Sequence, residues 1–254
     1  MVELFNTILF EPIFNLLVAV YQYLPPHDLG VSIIIVTLIL KIVLFFPSWS
    51  SIKSQQVMQE IQPKIDALRK KYEHNREELS RQLMAFYKEN KVNPFSSCLP
   101  LLIQFPILIA LYQVFITVAR TDPTTGILAA EQLEHLYGSL KEMFTTTPIN
   151  TTFLGLVDLA ATRNYVLAAL AAVLQLWQSR MMLGSHKQKS GNNMAQAMSR
   201  QMVYFMPVIT FIFGVSFPAG LTLYWATSTA FQILQQYLFF RRRSTVEIAN
   251  DRQQ

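Results

Sequence analysis

None of the five longest apolar runs in this chain contains an aspartate or a glutamate. That absence weighs against proton-coupled carriers and pumps, which load their ion on an intramembrane acid or histidine. Cysteine occurs once, at Cys98, which excludes an internal disulfide and a cysteine-rich metal centre. The chain also lacks a Walker-type phosphate loop, an HExxH metal motif and a GxSxG nucleophile elbow. No enzymatic activity, cofactor or metal is therefore expected. No lysine or arginine precedes Lys41 and no small-residue cleavage site is present, so a cleaved signal peptide is not expected, and no amino-terminal lipidation cysteine is seen.

Charge is scarce as well. Only 15% of the 254 residues are charged while 52% are hydrophobic, a balance that describes an all-α polytopic membrane protein and not a soluble domain of this length. The formal net charge of +5 does not imply a nucleic-acid function, because the basic residues lie between and after the apolar runs and form no binding face.

Five transmembrane helices follow from the runs, at 29–49, 96–119, 164–183, 201–217 and 218–240. Pro218-Ala219-Gly220 predicts a minimal turn between the last two, which makes them an antiparallel pair. Residues 1–28 read as an interfacial amphipathic helix on the outer side, since the apolar stretch is interrupted by Glu11-Pro12 and ended by Pro25-Pro26. Lysine and arginine are retained on the cytoplasmic side. Residues 50–95 hold nine, the region from Arg180 to Arg200 four, and the tail at 241–254 four, against none in residues 1–28. The amino terminus is thus expected outside, and the 184–200 loop and carboxyl terminus in the cytoplasm.

The 50–95 segment predicts a cytoplasmic helical hairpin: Ile61, Ile65, Leu68 and Tyr72, then Leu79, Leu83 and Phe86, repeat at heptad spacing around a polar break at His74-Asn75-Arg76. Pro63 is expected to kink or restart its first helix. The 120–163 loop carries Leu133, Leu136, Tyr137, Leu140 and Phe144 at helical spacing, which predicts one surface helix over Ile127 to Phe144.

Polar residues inside the spans carry the functional signal. Lys41 is the sole charge in an apolar run of about 30 Å, where an ammonium costs about 2.5 to 3.5 kcal/mol at the centre and faces a partner or a wet cavity. Snorkelling toward the interface is the competing reading. Thr37 and Ser48, at i−4 and i+7, put hydroxyls on the same helical face and favour the cavity. In the last span Trp225, Ser228, Gln232 and Gln235 form a second polar stripe, either helix glue or the wall of an aqueous path. Gln104 lies between Pro100 and Pro106, and Pro106 frees the carbonyl of Leu102. Gln113 points to the opposite side. Ala168, Ala169, Ala171 and Ala172 suit close helix packing.

The chain resembles the YidC membrane protein insertase family from about Phe5 to Arg243. The most specific block is Lys91-Val92-Asn93-Pro94 followed by Cys98-Leu99-Pro100-Leu101-Leu102-Ile103-Gln104-Phe105-Pro106-Ile107. Gln62-Pro63-Lys64, Phe205-Met206-Pro207, Phe217-Pro218-Ala219-Gly220-Leu221 and Leu223-Tyr224-Trp225 add to it in the expected order. The resemblance implies five helices around a hydrophilic groove that opens to the cytoplasm and to lipid and is closed outside. Lys41 stands where members usually carry an arginine, which keeps the charge but loses the planar fork of guanidinium. Lys41, Thr37, Gln104, Trp225, Ser228 and Gln232 are the expected groove residues. The implied function is insertion and folding of nascent membrane proteins, alone or with the Sec translocon. The large periplasmic domain and long basic tail of some members are not seen. Contact with a ribosome would then rest on hairpin residues Gln62, Pro63, Lys64, Arg69, Lys70 and Lys71 and on Arg241, Arg242 and Arg243. A small-solute channel or transporter and a structural membrane-assembly factor are the rival readings.

Overall fold

The computed structural model describes residues 2–90, 92–93, 99–122, 125–182 and 194–251. Lys91, Pro94, Cys98 and Arg252 lie outside them, as do the side chains of Pro100, Arg242 and Arg243. The architecture is that of an all-α polytopic membrane protein. In order, the helices are α1 (Val2–Phe5), a π-helical stretch (Asn6–Phe10), α2 (Glu11–Tyr23), α3 (Leu29–Val43), α4 (Phe45–Lys71), α5 (Arg76–Glu89), α6 (Leu99–Ala119), α7 (Ala130–Leu133), α8 (Gly138–Met143), α9 (Tyr165–Met182), α10 (Met194–Ser216) and α11 (Ala219–Asp251). A two-stranded antiparallel ribbon, β1 (Thr152–Phe153) with β2 (Val157–Asp158), interrupts the loop before α9. By length and composition Val2–Tyr23 and Leu102–Ala119 are each sufficient to cross a membrane, and α3 with the start of α4 makes a third, bent candidate.

Four local expectations are corrected. The first span is not one straight helix: it bends by 68° at Leu44, where α3 gives way to α4. Pro47, in the first turn of α4, has no N–H for the carbonyl of Val43 and its ring would clash with that group in a continuous helix. Helix α4 runs through Pro63 to Lys71 without a restart. The amino-terminal stretch, read as interfacial because Glu11-Pro12 interrupts it, forms a helix over Val2–Tyr23 that is long and apolar enough to cross a membrane, with a wider π-helical stretch just before Pro12. The loop after α6 forms two short helices in place of one, parted by a turn at His135–Tyr137, with Gly138 in a left-handed conformation at φ 45°. In addition, α10 begins at Met194 and α11 runs on to Asp251, so both helices extend past the expected spans.

Packing follows the apolar faces. Helix α11 lies between α3 and α9, α10 packs chiefly on α9, and α2 packs on α3 and α6. The connection between α10 and α11 is minimal, Phe217-Pro218. Small residues set the α9–α10–α11 contact: a Cβ on Gly214 would lie 3.0 Å from Ala168 Cβ and 3.2 Å from Thr222 Cγ2. Ala168 and Ala171 are buried there, whereas Ala169 is exposed and Ala172 half-buried. The Thr222 hydroxyl donates to the Gly214 carbonyl at 3.0 Å. In the hairpin Ile61 and Ile65 are buried on α4, and no residue of α5 is.

Residues 125–163 cap the end of the bundle remote from the α4–α5 hairpin. Leu128, Leu136, Phe144, Ile149 and Leu159 enter the common core. Polar groups fix the cap in place. Asn15, 5% exposed in α2, donates to the carbonyls of Glu11 (2.8 Å) and His135 (2.7 Å) and accepts from the amide of Tyr137 (2.7 Å). The Asn150 amide donates to the Tyr21 hydroxyl at 2.9 Å. Asp28 caps α3 at Val31 and also accepts from the Leu154 amide, while Phe153 fills the space over Gly30. The Ala219 and Gly220 amides donate to Ala161 and Leu159, tying the cap to the start of α11. Glu11, Asn15 and Tyr21 all bond to cap residues, so α2 runs against the cap over most of its length. Asn15→Ala leaves a buried amide and a carbonyl without partners, an expected loss of about 2 to 4 kcal/mol. Thermal unfolding in detergent checks this, with protease cleavage of the 125–163 segment rising in parallel.

Candidate hydrophilic groove

Lys41 sits in the last turn of α3, three residues before the bend at Leu44, and is 8% exposed. Its Nζ donates to Gln104 Oε1 of α6 at 3.2 Å. The Gln104 amide nitrogen in turn donates to the Tyr224 hydroxyl of α11, and Ser228, one turn on, is a further partner of that hydroxyl. Three helices thus meet in one chain of polar side chains: ammonium, carboxamide, phenol, hydroxyl. No carboxylate pairs with Lys41 among the described residues. The ammonium is therefore solvated by neutral dipoles and its charge is not cancelled. Its nitrogen is turned into the bundle, yet the next two residues, Ile42 and Val43, are 65% and 70% exposed. The cation lies one residue from a face built for acyl chains.

The other expected groove residues divide. Thr37, 1% exposed, spends its hydroxyl on the Ile33 carbonyl of its own helix at 2.6 Å. Trp225 is half-buried on α11 beside Tyr224. Gln232 accepts from Gln178 Nε2 of α9 at 2.5 Å, a bond between helices on the side of α11 away from Lys41. Gln235 turns to the α3–α4 bend, where it accepts from Ser48 at 2.8 Å and reaches the Phe45 carbonyl at 3.5 Å. Because the bend removes Ser48 from the helix of Lys41, the two no longer share a face. The stripe read along α11 thus divides: Ser228 meets Tyr224 of its own helix, Gln232 meets α9 and Gln235 meets the α3–α4 bend. Tyr224 was not among the residues singled out for the site; a tyrosine one turn before Ser228 was the available signal.

On the hairpin, Asp66 is buried and collects two expected partner-binding residues: Gln62 donates to it at 3.1 Å and Arg69 pairs with it at 3.7 Å. Pro63, Lys64, Lys70 and Lys71 are exposed, with Lys71 over the Tyr72 ring at 5.3 Å. Arg241 is exposed on α11.

Comparison with known proteins gives a consistent picture. A family model described as 60Kd inner membrane protein matches residues 19–246. The chain is 32% identical over 231 residues to a protein of Rickettsia africae and 31% identical over 233 residues to one of Rickettsia typhi, both named Membrane protein insertase YidC. Each alignment covers 91% of this chain and 38% of the relative, so the chain spans little more than a third of the length of those proteins.

Proposed function

The chain belongs to the 60Kd inner membrane protein family, and from that premise we propose that it is a membrane protein insertase and chaperone acting through the polar cluster around Lys41. The observation that carries this is the buried ammonium of Lys41, uncancelled by any carboxylate among the described residues and held by Gln104 at 3.2 Å. A polar, acidic tail of a nascent membrane protein entering between α3, α6 and α11 would exchange water for Lys41, Gln104, Tyr224 and Ser228. Trp225 borders the entry, while Thr37 and Gln232 hold the walls. The barrier falls because charge and dipoles replace part of the lost hydration. The following apolar segment leaves sideways past Ile42 and Val43 into lipid, driven by burial of its side chains at about 25 cal/mol per Å². Membrane potential adds about 2.3 kcal/mol per acidic charge per 100 mV. No bond is made or broken.

This reading sets the 125–163 cap and the amino terminus outside and the hairpin and carboxyl terminus in the cytoplasm. The cap closes one end of the bundle, and on this reading α2, bonded to it at Glu11, Asn15 and Tyr21, would lie along the outer surface. Five helices then cross: α3 with the start of α4, α6, α9, α10 and α11. Lys64, Lys70 and Lys71 are the cations that a ribosome or the Sec translocon would meet.

Reconstitution tests the proposal. Liposomes holding the purified chain are expected to convert a single-span client with an acidic amino-terminal tail to a protease-protected form above the level of empty liposomes, with no flux of small solutes. Solute flux without client insertion would replace the insertase by a channel.

A further inference from the structure

Helix α9 presents Val166, Leu170, Val173, Trp177 and Arg180 on one exposed face, at spacings of four, three, four and three residues. Alongside it α10 presents Tyr204, Val208 and Phe211, also exposed and one turn apart. The two faces adjoin, since the Arg180 guanidinium lies over the Tyr204 ring at 5.8 Å and Ala168 packs against Gly214 further along the pair. We propose that this shared face is a binding site for an anionic phospholipid, with the headgroup phosphate on Arg180 and one acyl chain along Trp177, Val173 and Leu170. The inference rests on α9 crossing the membrane; it does not rest on the insertase activity.

Three observations choose this occupant. At 18 residues α9 is about 27 Å long, close to the hydrocarbon thickness, so Arg180 near its end falls at headgroup depth. From Arg180 back to Leu170 is about 15 Å, the depth of one leaflet's hydrocarbon. Arg180 has no carboxylate partner among the described residues. The Tyr204 ring holds the guanidinium in place, its N–H groups have no acceptor among the described residues, and a planar fork of donors matches phosphate oxygens two at a time. Trp177, 58% exposed one turn before Arg180, is the residue type that occupies the boundary between headgroups and acyl chains.

The test uses the full chain in nanodiscs of equal phosphatidylglycerol and phosphatidylcholine, with the lipids that remain bound counted by native mass spectrometry. The wild type is expected to retain phosphatidylglycerol in preference, and Arg180→Ala to lower that preference about fivefold, as expected for one basic residue at a membrane surface. Tyr204→Phe, which keeps the ring face, is expected to retain the preference, and Tyr204→Leu to weaken it. All three side-chain changes are at exposed positions, so unchanged thermal midpoints accompany them. Equal retention of the two lipids by the wild type, or an undiminished preference in Arg180→Ala, overturns the proposal. So does displacement of the lipid by millimolar inorganic phosphate, which would identify a free-anion site.

Discussion

Lys41→Ala is expected to slow insertion of a client with an acidic amino-terminal tail at least tenfold, while a client whose tail is neutral is affected little. The change removes a charge-assisted hydrogen bond worth about 1.5 to 3 kcal/mol, and about 1.4 kcal/mol of barrier is a factor of ten in rate. Folding is spared because the alanine takes away an ammonium that the apolar surroundings did not favour, leaving Gln104 with its bond to Tyr224. Lys41→Arg is expected to retain activity, since the guanidinium keeps the charge and adds donors toward Gln104. The measurement is the rate of protease protection of each client in proteoliposomes. Equal rates for both clients in wild type and Lys41→Ala would remove the charge from the mechanism.

Gly214→Leu is expected to destabilise the bundle by more than about 3 kcal/mol, because a single added methylene in a packed core already costs about 1 to 3 kcal/mol. The site has no slack. The first atom added would lie 3.1 Å from the Ala168 Cα, a backbone atom that cannot rotate away, and 3.2 Å from Thr222 Cγ2. Displacement of α10 would also disturb the Thr222 bond from α11 to the Gly214 carbonyl. Gly214→Ala is the milder form, and combining it with Ala168→Gly is expected to recover part of the loss, since one methyl is exchanged for another across the contact. Thermal unfolding in detergent of the two single variants and the pair gives the coupling directly. Additive effects would mean that the two residues do not share this contact.

The fold was legible where side-chain chemistry repeats. Apolar runs marked the helices, the heptads around Ile61 and Ile65 marked the hairpin, and alanines at 168 and 171 marked a close contact. It was less legible where backbone adjusts locally. Pro47 bends the first span, whereas Pro12 and Pro63, which look equally disruptive, are absorbed by a π-helical stretch and by a long continuous helix. A proline states that a hydrogen bond is missing, and the surroundings decide whether the helix breaks.

At the site, Lys41 and Gln104 stood out because each is polar in an apolar run, and the structure brings them together. The different partners of Ser228, Gln232 and Gln235 were not legible, because residues within one arc of a helix can bond within it, to one neighbour or to another. Asn15 was legible in principle as the one amide inside the apolar run Ile13–Tyr21 of α2. Its role, gripping the turn at His135–Tyr137, depends on a contact 120 residues away along the chain.

A client's polar tail is proposed to occupy the space between α3, α6 and α11. A photoreactive residue placed at Leu40, beside Lys41, and at Trp225, with Ile212 on the exposed face of α10 as the comparison, tests it against ribosome-stalled nascent chains of increasing length. Crosslinks from both Leu40 and Trp225 at the lengths where the tail has just emerged, and none from Ile212, are the expected result. Crosslinks from Ile212 alone, with Leu40 and Trp225 silent at every length, would contradict the account.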